Sequence, residues 1–256
     1  MSDISKAFAD GKAFIAFLTG GDPTLAASER YLVAMAEAGA DLLEIGIPFS
    51  DPIAEGPVIQ AANIRALSAG ANVDGIFELA RRVHAKIDTP LVFLTYLNPV
   101  FHYGYERFCE RCRECGVSGL IIPDLPYEEQ GELKPIAAKH GIDIITLIAP
   151  TSEGREAQIA KDATGFVYAV SSLGVTGVRS EITTDLARMV GDIKKQTDTP
   201  VAVGFGVHSP EQAAEIGAFA DGVIVGSKIV SIIAEQGEDA EVPLREYVAS
   251  MKNALS

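Results

Sequence analysis

PVAVGFGVHSPEQAAEIGAFADGVIVGSKIV, residues 200–230, holds the pattern that decides the fold. Two short, almost continuously apolar runs, Pro200–Gly206 and Asp221–Gly226, flank a helical pattern, and a short helix predicted at Ile229–Ala234 follows without a linker. A run that is apolar on both faces is what a parallel strand covered from both sides requires. Toward the N-terminus the same unit recurs. The runs Ala13–Thr19, Asp41–Phe49, Pro90–Leu97, Gly119–Leu125, Asp143–Ala149 and Gly165–Ser172 bring the predicted strands to eight. Helical patterns lie between them, clearest at Leu25–Ala38, Gly75–Ile87, Glu129–His140 and Thr184–Gln196. Alternation of this kind builds βαβ units and a parallel sheet. Eight units in one chain favour closure into a (β/α)8 or TIM barrel, an α/β fold that takes about 250 residues as one unit. The alternative is an open doubly wound sheet, which usually has fewer strands, and no G-x-G-x-x-G opens a helix here. No linker or low-complexity segment divides the 256 residues. The expected organisation is therefore a single barrel domain over 1–256. An extra helix precedes it, a short helix follows strand eight, and the last helix, Pro243–Leu255, closes the bottom of the ring.

Charge narrows the function. With 21 basic and 35 acidic side chains the formal net charge is −14, which repels nucleic acid and anionic membrane surfaces. Any phosphate must be held locally, by backbone N–H groups and helix ends. No apolar run reaches the roughly 20 residues that cross a bilayer. Met1 to Gly11 is polar and mixed in charge, unlike a signal peptide, so a cytoplasmic location is expected. Cys109, Cys112 and Cys115 form a C-x-x-C-x-x-C spacing that resembles a metal or iron–sulfur motif. The plainer reading is a charged helix, Tyr105–Cys115, with no fourth cysteine to complete a ligand set. No metal site is expected.

In a barrel the chemistry sits at the C-terminal ends of the strands. The second run reads Asp41-Leu-Leu-Glu-Ile-Gly-Ile-Pro48. Period-two alternation places Leu43, Ile45 and Ile47 toward the helices, and Leu42, Glu44 and Gly46 toward the barrel axis. Glu44 is thus a carboxyl aimed at an apolar interior, expensive unless it is paired or used. A buried basic partner would make it structural, but the strands offer few candidates. Gly46 beside it leaves space for a ligand. The loop that follows, 48–57, is stiffened by three prolines and presents Asp51 and Glu55 over the mouth. Two carboxyls in different surroundings, Glu44 and Glu55, suit separate acid and base roles.

A phosphate site is predicted where strands seven and eight end, at Val203-Gly-Phe-Gly206 and Val225-Gly-Ser-Lys228. Glycines admit close approach to backbone N–H groups, and the N-terminus of the short helix favours an anion. The lesser alternative is that the glycines only make tight turns, but their pairing at the ends of these two strands favours the phosphate. The loop after strand six, 171–180, contains two glycines, Thr176 and Arg179, and reads as a lid or as a plain surface loop.

At these residues the sequence resembles the tryptophan synthase alpha subunit family. The matching segments span nearly the whole chain and include FLTGGDP (17–23), LLEIGIPFSDPIAEGP (42–57), PDLPYEE (123–129), YAVSSLGVTGVR (168–179), GFGVHSPEQ (204–212) and GSKIV (226–230). The resemblance implies cleavage of indole-3-glycerol phosphate to indole and glyceraldehyde 3-phosphate, with no metal or organic cofactor. It implies a pyridoxal-phosphate beta subunit as partner, in an alpha2beta2 assembly. It makes Glu44 the catalytic glutamate and Glu55 the second catalytic carboxyl. Phe17, Leu94, Tyr96 and Ile224 become the indole pocket, with Tyr168 near Glu44 and Thr176 ordering the second carboxyl. Gly177, Phe205, Gly206, Gly226 and Ser227 become the phosphate site, and Asp51 an interface residue. One position departs from the family: its A-D-G-P is Ala54-Glu55-Gly56-Pro57 here, one methylene longer at the catalytic carboxyl.

The implied reaction is a retro-aldol cleavage, with Glu44 as proton shuttle and Glu55 stabilising charge at the indole N–H. Two other readings compete. A sugar-phosphate isomerase or epimerase barrel would need a metal cluster or a lysine/aspartate set, which the strand ends do not offer. An attenuated alpha subunit that mainly regulates its partner is suggested by Glu55.

Overall fold

The computed structural model describes residues 3–152, 154–170, 179–204 and 206–256. Eight parallel strands close into a barrel in sequence order: β1 Ala13–Thr19, β2 Leu42–Gly46, β3 Leu91–Leu94, β4 Val117–Ile121, β5 Asp143–Ile148, β6 Val167–Val170, β7 Val201–Gly204 and β8 Gly222–Val225. Closure is made by β1 pairing with β8, from Ala13↔Gly222 to Ala16↔Val225. The near-continuous apolar runs have the expected cause. Alternate side chains such as Phe14, Leu18, Leu43, Ile45 and Val223 pack outward under the helices. Their neighbours Ile15, Leu42, Val92, Ile121, Ile145 and Ile224 fill the barrel itself. Each such buried side chain contributes about 1.5–3 kcal/mol.

Helix starts follow local chemistry. Thr24 accepts the Ala27 N–H at the head of Leu25–Glu37, Asn72 caps Val73–His84, and Ser209 with Gln212 forms a capping box at Pro210–Gly217. Several elements differ in extent from the expectation, among them the second strand, which ends at Gly46, and the fourth, which spans Val117–Ile121. The third strand ends at Leu94, and Leu97–Tyr103 is a helix whose first N–H is taken by Asp124 Oδ1 at 2.8 Å. The stretch expected as a helix over 129–140 is a 3-10 turn, Tyr127–Glu129, followed by the helix Lys134–Lys139. Gly131, a poor helix former, lies between them, and Pro135 sits in the first turn of the second helix, where its missing N–H is tolerated.

The bottom of the barrel is plugged by the N-terminal 3-10 turn Asp3–Phe8. Its Ile4 is fully buried among the inward side chains, and Phe8 lies 5.9 Å from Phe166. The last helix, Glu241–Asn253, instead completes the outer ring beside Leu25–Glu37 and Pro210–Gly217. It braces the bottom through Lys252, whose ammonium donates to Asp41 Oδ2 at 2.8 Å and to the Lys12 carbonyl at 3.0 Å.

Candidate active site

Glu44 lies in the middle of β2, in register with Phe17 on β1 and Val92 on β3. It is 1% exposed, and its Oε2 has no hydrogen-bond partner. Burial alone pushes its carboxyl up to about 8. No buried base accounts for it among the described residues, so the group is neutral over most of the neutral pH range and able to give a proton. Tyr168, inward on β6, is held well above its ordinary value by burial and then by the charge of Glu44. Gly46 serves a different purpose from the one expected. A Cβ there would stand 2.8 Å from Phe17 Cε2, so the glycine makes room for an aromatic wall rather than for the ligand directly.

Above Glu44 opens a cavity of about 460 Å³ at the C-terminal ends of the strands, a volume in the range of small-molecule sites. Phe17, Leu94, Ile121, Leu147, Val170 and Ile224 make its walls apolar; Glu44, Glu55 and Tyr168 supply the polar groups. The rim is formed by Gly206, His208, Gly226, Ser227 and Lys228. Gly206 has φ of +80°, a conformation that disfavours side-chain-bearing residues. Gly226 precedes the helix Ser227–Gln236 and makes no side-chain cap bond, and that helix has no acidic residue in its first turn. Its leading N–H groups therefore lack intrahelical partners and suit an anion.

Glu55 is half-buried on the loop after β2. Its Oε2 accepts a hydrogen bond from the Tyr96 hydroxyl, which itself accepts the N–H groups of Ile53 at 2.9 Å and Ala54 at 2.8 Å. Burial raises the Glu55 carboxyl, the Tyr96 bond opposes this, and the charge of Asp124 adds to the rise. Tyr96 is pushed up to about 12 by burial and by Glu55. One phenol thus ties together three consecutive loop residues and the second carboxyl.

The structure brings most of the expected site residues to one cavity: Phe17, Glu44, Glu55, Leu94, Tyr168, Gly206, Ile224, Gly226 and Ser227 all line it. Tyr96 stands behind Glu55 and does not line the cavity. Asp51 is exposed, accepts the Ser50 hydroxyl at 2.5 Å and does not line the cavity. Thr176, Gly177 and Phe205 lie outside the described residues, as do 171–178 of the expected lid; Arg179 opens the helix Arg179–Lys194. Sequence reasoning missed His208 and Lys228. Both follow a predicted phosphate glycine within two residues, and that proximity was the available signal. Cys109, Cys112 and Cys115 are buried in the core beneath the helices; burial raises all three thiols, Cys109 to about 11. Among the described residues no group of three His, Cys, Asp or Glu could hold a metal ion, and no helix is long and apolar enough to cross a membrane.

The family model described as tryptophan synthase alpha chain matches residues 5–256. The chain belongs to the tryptophan synthase alpha chain family. Among curated members, the tryptophan synthase alpha chain of Lactiplantibacillus plantarum is 52% identical over 256 residues, covering 100% of this chain and 97% of the relative. That of Lacticaseibacillus casei is 47% identical, covering 100% and 96%. The crystal structure of tryptophan synthase subunit alpha from Legionella pneumophila superposes with a TM-score of 0.92 at 35% identity, over 100% of this chain and 98% of that one. Tryptophan synthase from Mycobacterium tuberculosis in its aminoacrylate-bound form gives 0.90 at 33% identity, over 100% of both chains. Members of the tryptophan synthase alpha chain family act as lyases on indole-3-glycerol phosphate and partner with a beta subunit.

Proposed function

We propose that this chain cleaves indole-3-glycerol phosphate to indole and glyceraldehyde 3-phosphate with Glu44 as proton shuttle and Glu55 as the charge-stabilising carboxylate. The observation that carries the assignment is Glu44: a buried carboxyl whose Oε2 has no partner among the described residues, neutral near pH 7, at the floor of an apolar cavity. Protonated Glu44 delivers its proton to C3 of the indole ring, leaving the ring nitrogen positive. The Glu55 carboxylate, whose ionised form the hydrogen bond from Tyr96 favours against the effect of burial, stabilises the N–H of that cation. Glu44, now a carboxylate, takes the proton of the adjacent glycerol hydroxyl. The hydroxyl carbon becomes a carbonyl, the C–C bond breaks, and its electron pair restores the aromatic ring. Glu44 ends protonated, as it began, so no external acid or oxidant is needed. The phosphate, bound at Gly206 and the first turn of Ser227–Gln236, supplies remote binding energy that holds the reacting atoms in register.

A pyridoxal-phosphate beta subunit, in an alpha2beta2 complex in the cytoplasm, is the proposed partner. Support comes from the same end of the barrel. Ile53 is 78% exposed and Phe101 68% exposed, both on segments that follow strands β2 and β3, with Asp51 beside Ile53 in the sequence. Indole release from indole-3-glycerol phosphate by the purified chain, with and without a beta subunit, tests the reading. Release stimulated by the beta subunit is expected; no release under either condition overturns it.

A further inference from the structure

The helix Ser227–Gln236 carries a lysine where helix electrostatics disfavours one. Lys228 is in its first turn, at the positive end of the helix dipole, and no acidic residue in that turn offsets it. Gly226 adds no side-chain cap bond. Among the described residues no ion pair joins it to the two carboxyls of the cavity wall: Glu44 Oε2 has no partner, and Glu55 Oε2 accepts from Tyr96. Yet Lys228 lines the cavity beside Gly206, Gly226 and Ser227. Unpartnered helix N–H groups, a positive helix end and an ammonium therefore converge on one rim of a protein whose net charge is −14. A local arrangement that is unfavourable in the empty protein becomes favourable once an anion sits there, and conflicts of this type mark functional positions.

We infer that Lys228 is a phosphate-binding side chain, its ammonium pairing with the phosphomonoester of the substrate while the backbone of the same turn donates hydrogen bonds to it. The inference rests on the proposed reaction for the identity of the substrate, but not for the class of ligand, a phosphomonoester. It modifies the expectation of a purely backbone cradle. The backbone fixes where the phosphate sits. Lys228 supplies the full positive charge that offsets a dianion in a cavity already holding two carboxyls. It also favours phosphorylated over unphosphorylated ligands, because a ligand lacking phosphate leaves the ammonium beside bare helix N–H groups.

The test uses Lys228→Ala, Lys228→Gln and Lys228→Arg in the full chain. The readouts are kcat and KM for indole-3-glycerol phosphate, inhibition by inorganic phosphate, and thermal melting with and without phosphate. Loss of one charge-assisted hydrogen bond predicts a rise in KM and in the phosphate inhibition constant of about tenfold for Ala and Gln, with kcat within about twofold. Arg should stay within about threefold of wild type, since it keeps the charge. The ligand-free Ala and Gln variants should melt no lower than wild type, while the phosphate-induced rise in Tm shrinks. A KM and phosphate constant unchanged in Ala and Gln would overturn the inference. So would a fall in ligand-free Tm with kcat and KM damaged together, which marks a structural lysine. If wild type fails to release indole yet binds phosphate in a Lys228-dependent way, the reaction is wrong and the inference stands.

Discussion

The two ends of the barrel treat their carboxylates in opposite ways. At the bottom, Asp41 accepts the Phe14 N–H at 2.6 Å and pairs with Lys252 at 2.8 Å, and Asp221 accepts the Val201 N–H at 3.0 Å and pairs with Lys194 at 2.6 Å. Each clamps a strand end to a helix and leaves little for the group to react with. At the top, among the described residues, Glu44 Oε2 has no hydrogen-bond donor and no ion pair reaches Glu44, and Glu55 Oε2 accepts from a phenol. A partnered carboxylate holds the fold together. A buried carboxyl without a counter-charge costs stability and stores proton affinity, which is what general acid–base chemistry needs. The same residue types thus become structural or reactive according to what the strand ends place around them.

The sharpest break in that comparison is Glu44→Gln. It should lower kcat about a thousandfold, the scale of a lost general acid–base group, while circular dichroism and phosphate binding stay as in wild type. Turnover within a few-fold of wild type would remove Glu44 from the mechanism. A collapsed fold would place Glu44 in the structural group with Asp41.

Glu55 comes next. Glu55→Asp shortens a side chain whose loop is tied to Tyr96, and a displacement near 1 Å costs about a hundredfold in kcat. The measurement is kcat with saturating beta subunit. A severalfold gain instead would show that the longer side chain is a handicap, favouring an attenuated subunit whose main task is regulation.

At the bottom the readout changes from rate to stability. Asp41→Ala leaves the Phe14 N–H and the Lys252 ammonium without their acceptor, at a cost of about 1–3 kcal/mol. Urea unfolding should show that loss, with kcat at permissive temperature unchanged. A variant as stable as wild type but slow would reverse the assignment of the two ends.

The smallest effect is a slope. The Glu44 carboxyl is raised from its ordinary 4.5 to about 8, so the folded state holds a proton that the unfolded chain releases. That favours folding below pH 4.5, and the advantage is lost as pH rises toward 8. Glu44→Gln should therefore flatten the decline of stability between about pH 4.5 and 8, seen as a growing Tm advantage over wild type toward the alkaline end. Parallel Tm profiles for the two proteins would mean that Glu44 is ionised in the folded state.

Much of this was legible in the chain itself. Period-two alternation along 41–48 assigns Glu44 to the barrel interior without reference to any other segment, because a strand's geometry is local. The paired apolar runs at 200–206 and 221–226 announce a rim of glycines before a helix for the same reason. What only the tertiary structure decided are the contacts between distant segments. Tyr96 reaches Glu55 across 41 positions, Asp124 caps Leu97 across 27, and Ile4 fills the barrel floor. Barrel closure and strand register set those distances, and neither is written in the periodicity of a single strand. Lys228 belongs to both kinds of information. Its place after a glycine at a strand end is local, but its presence in the wall of the cavity that holds Glu44 follows from β8 closing against β1 beside β2.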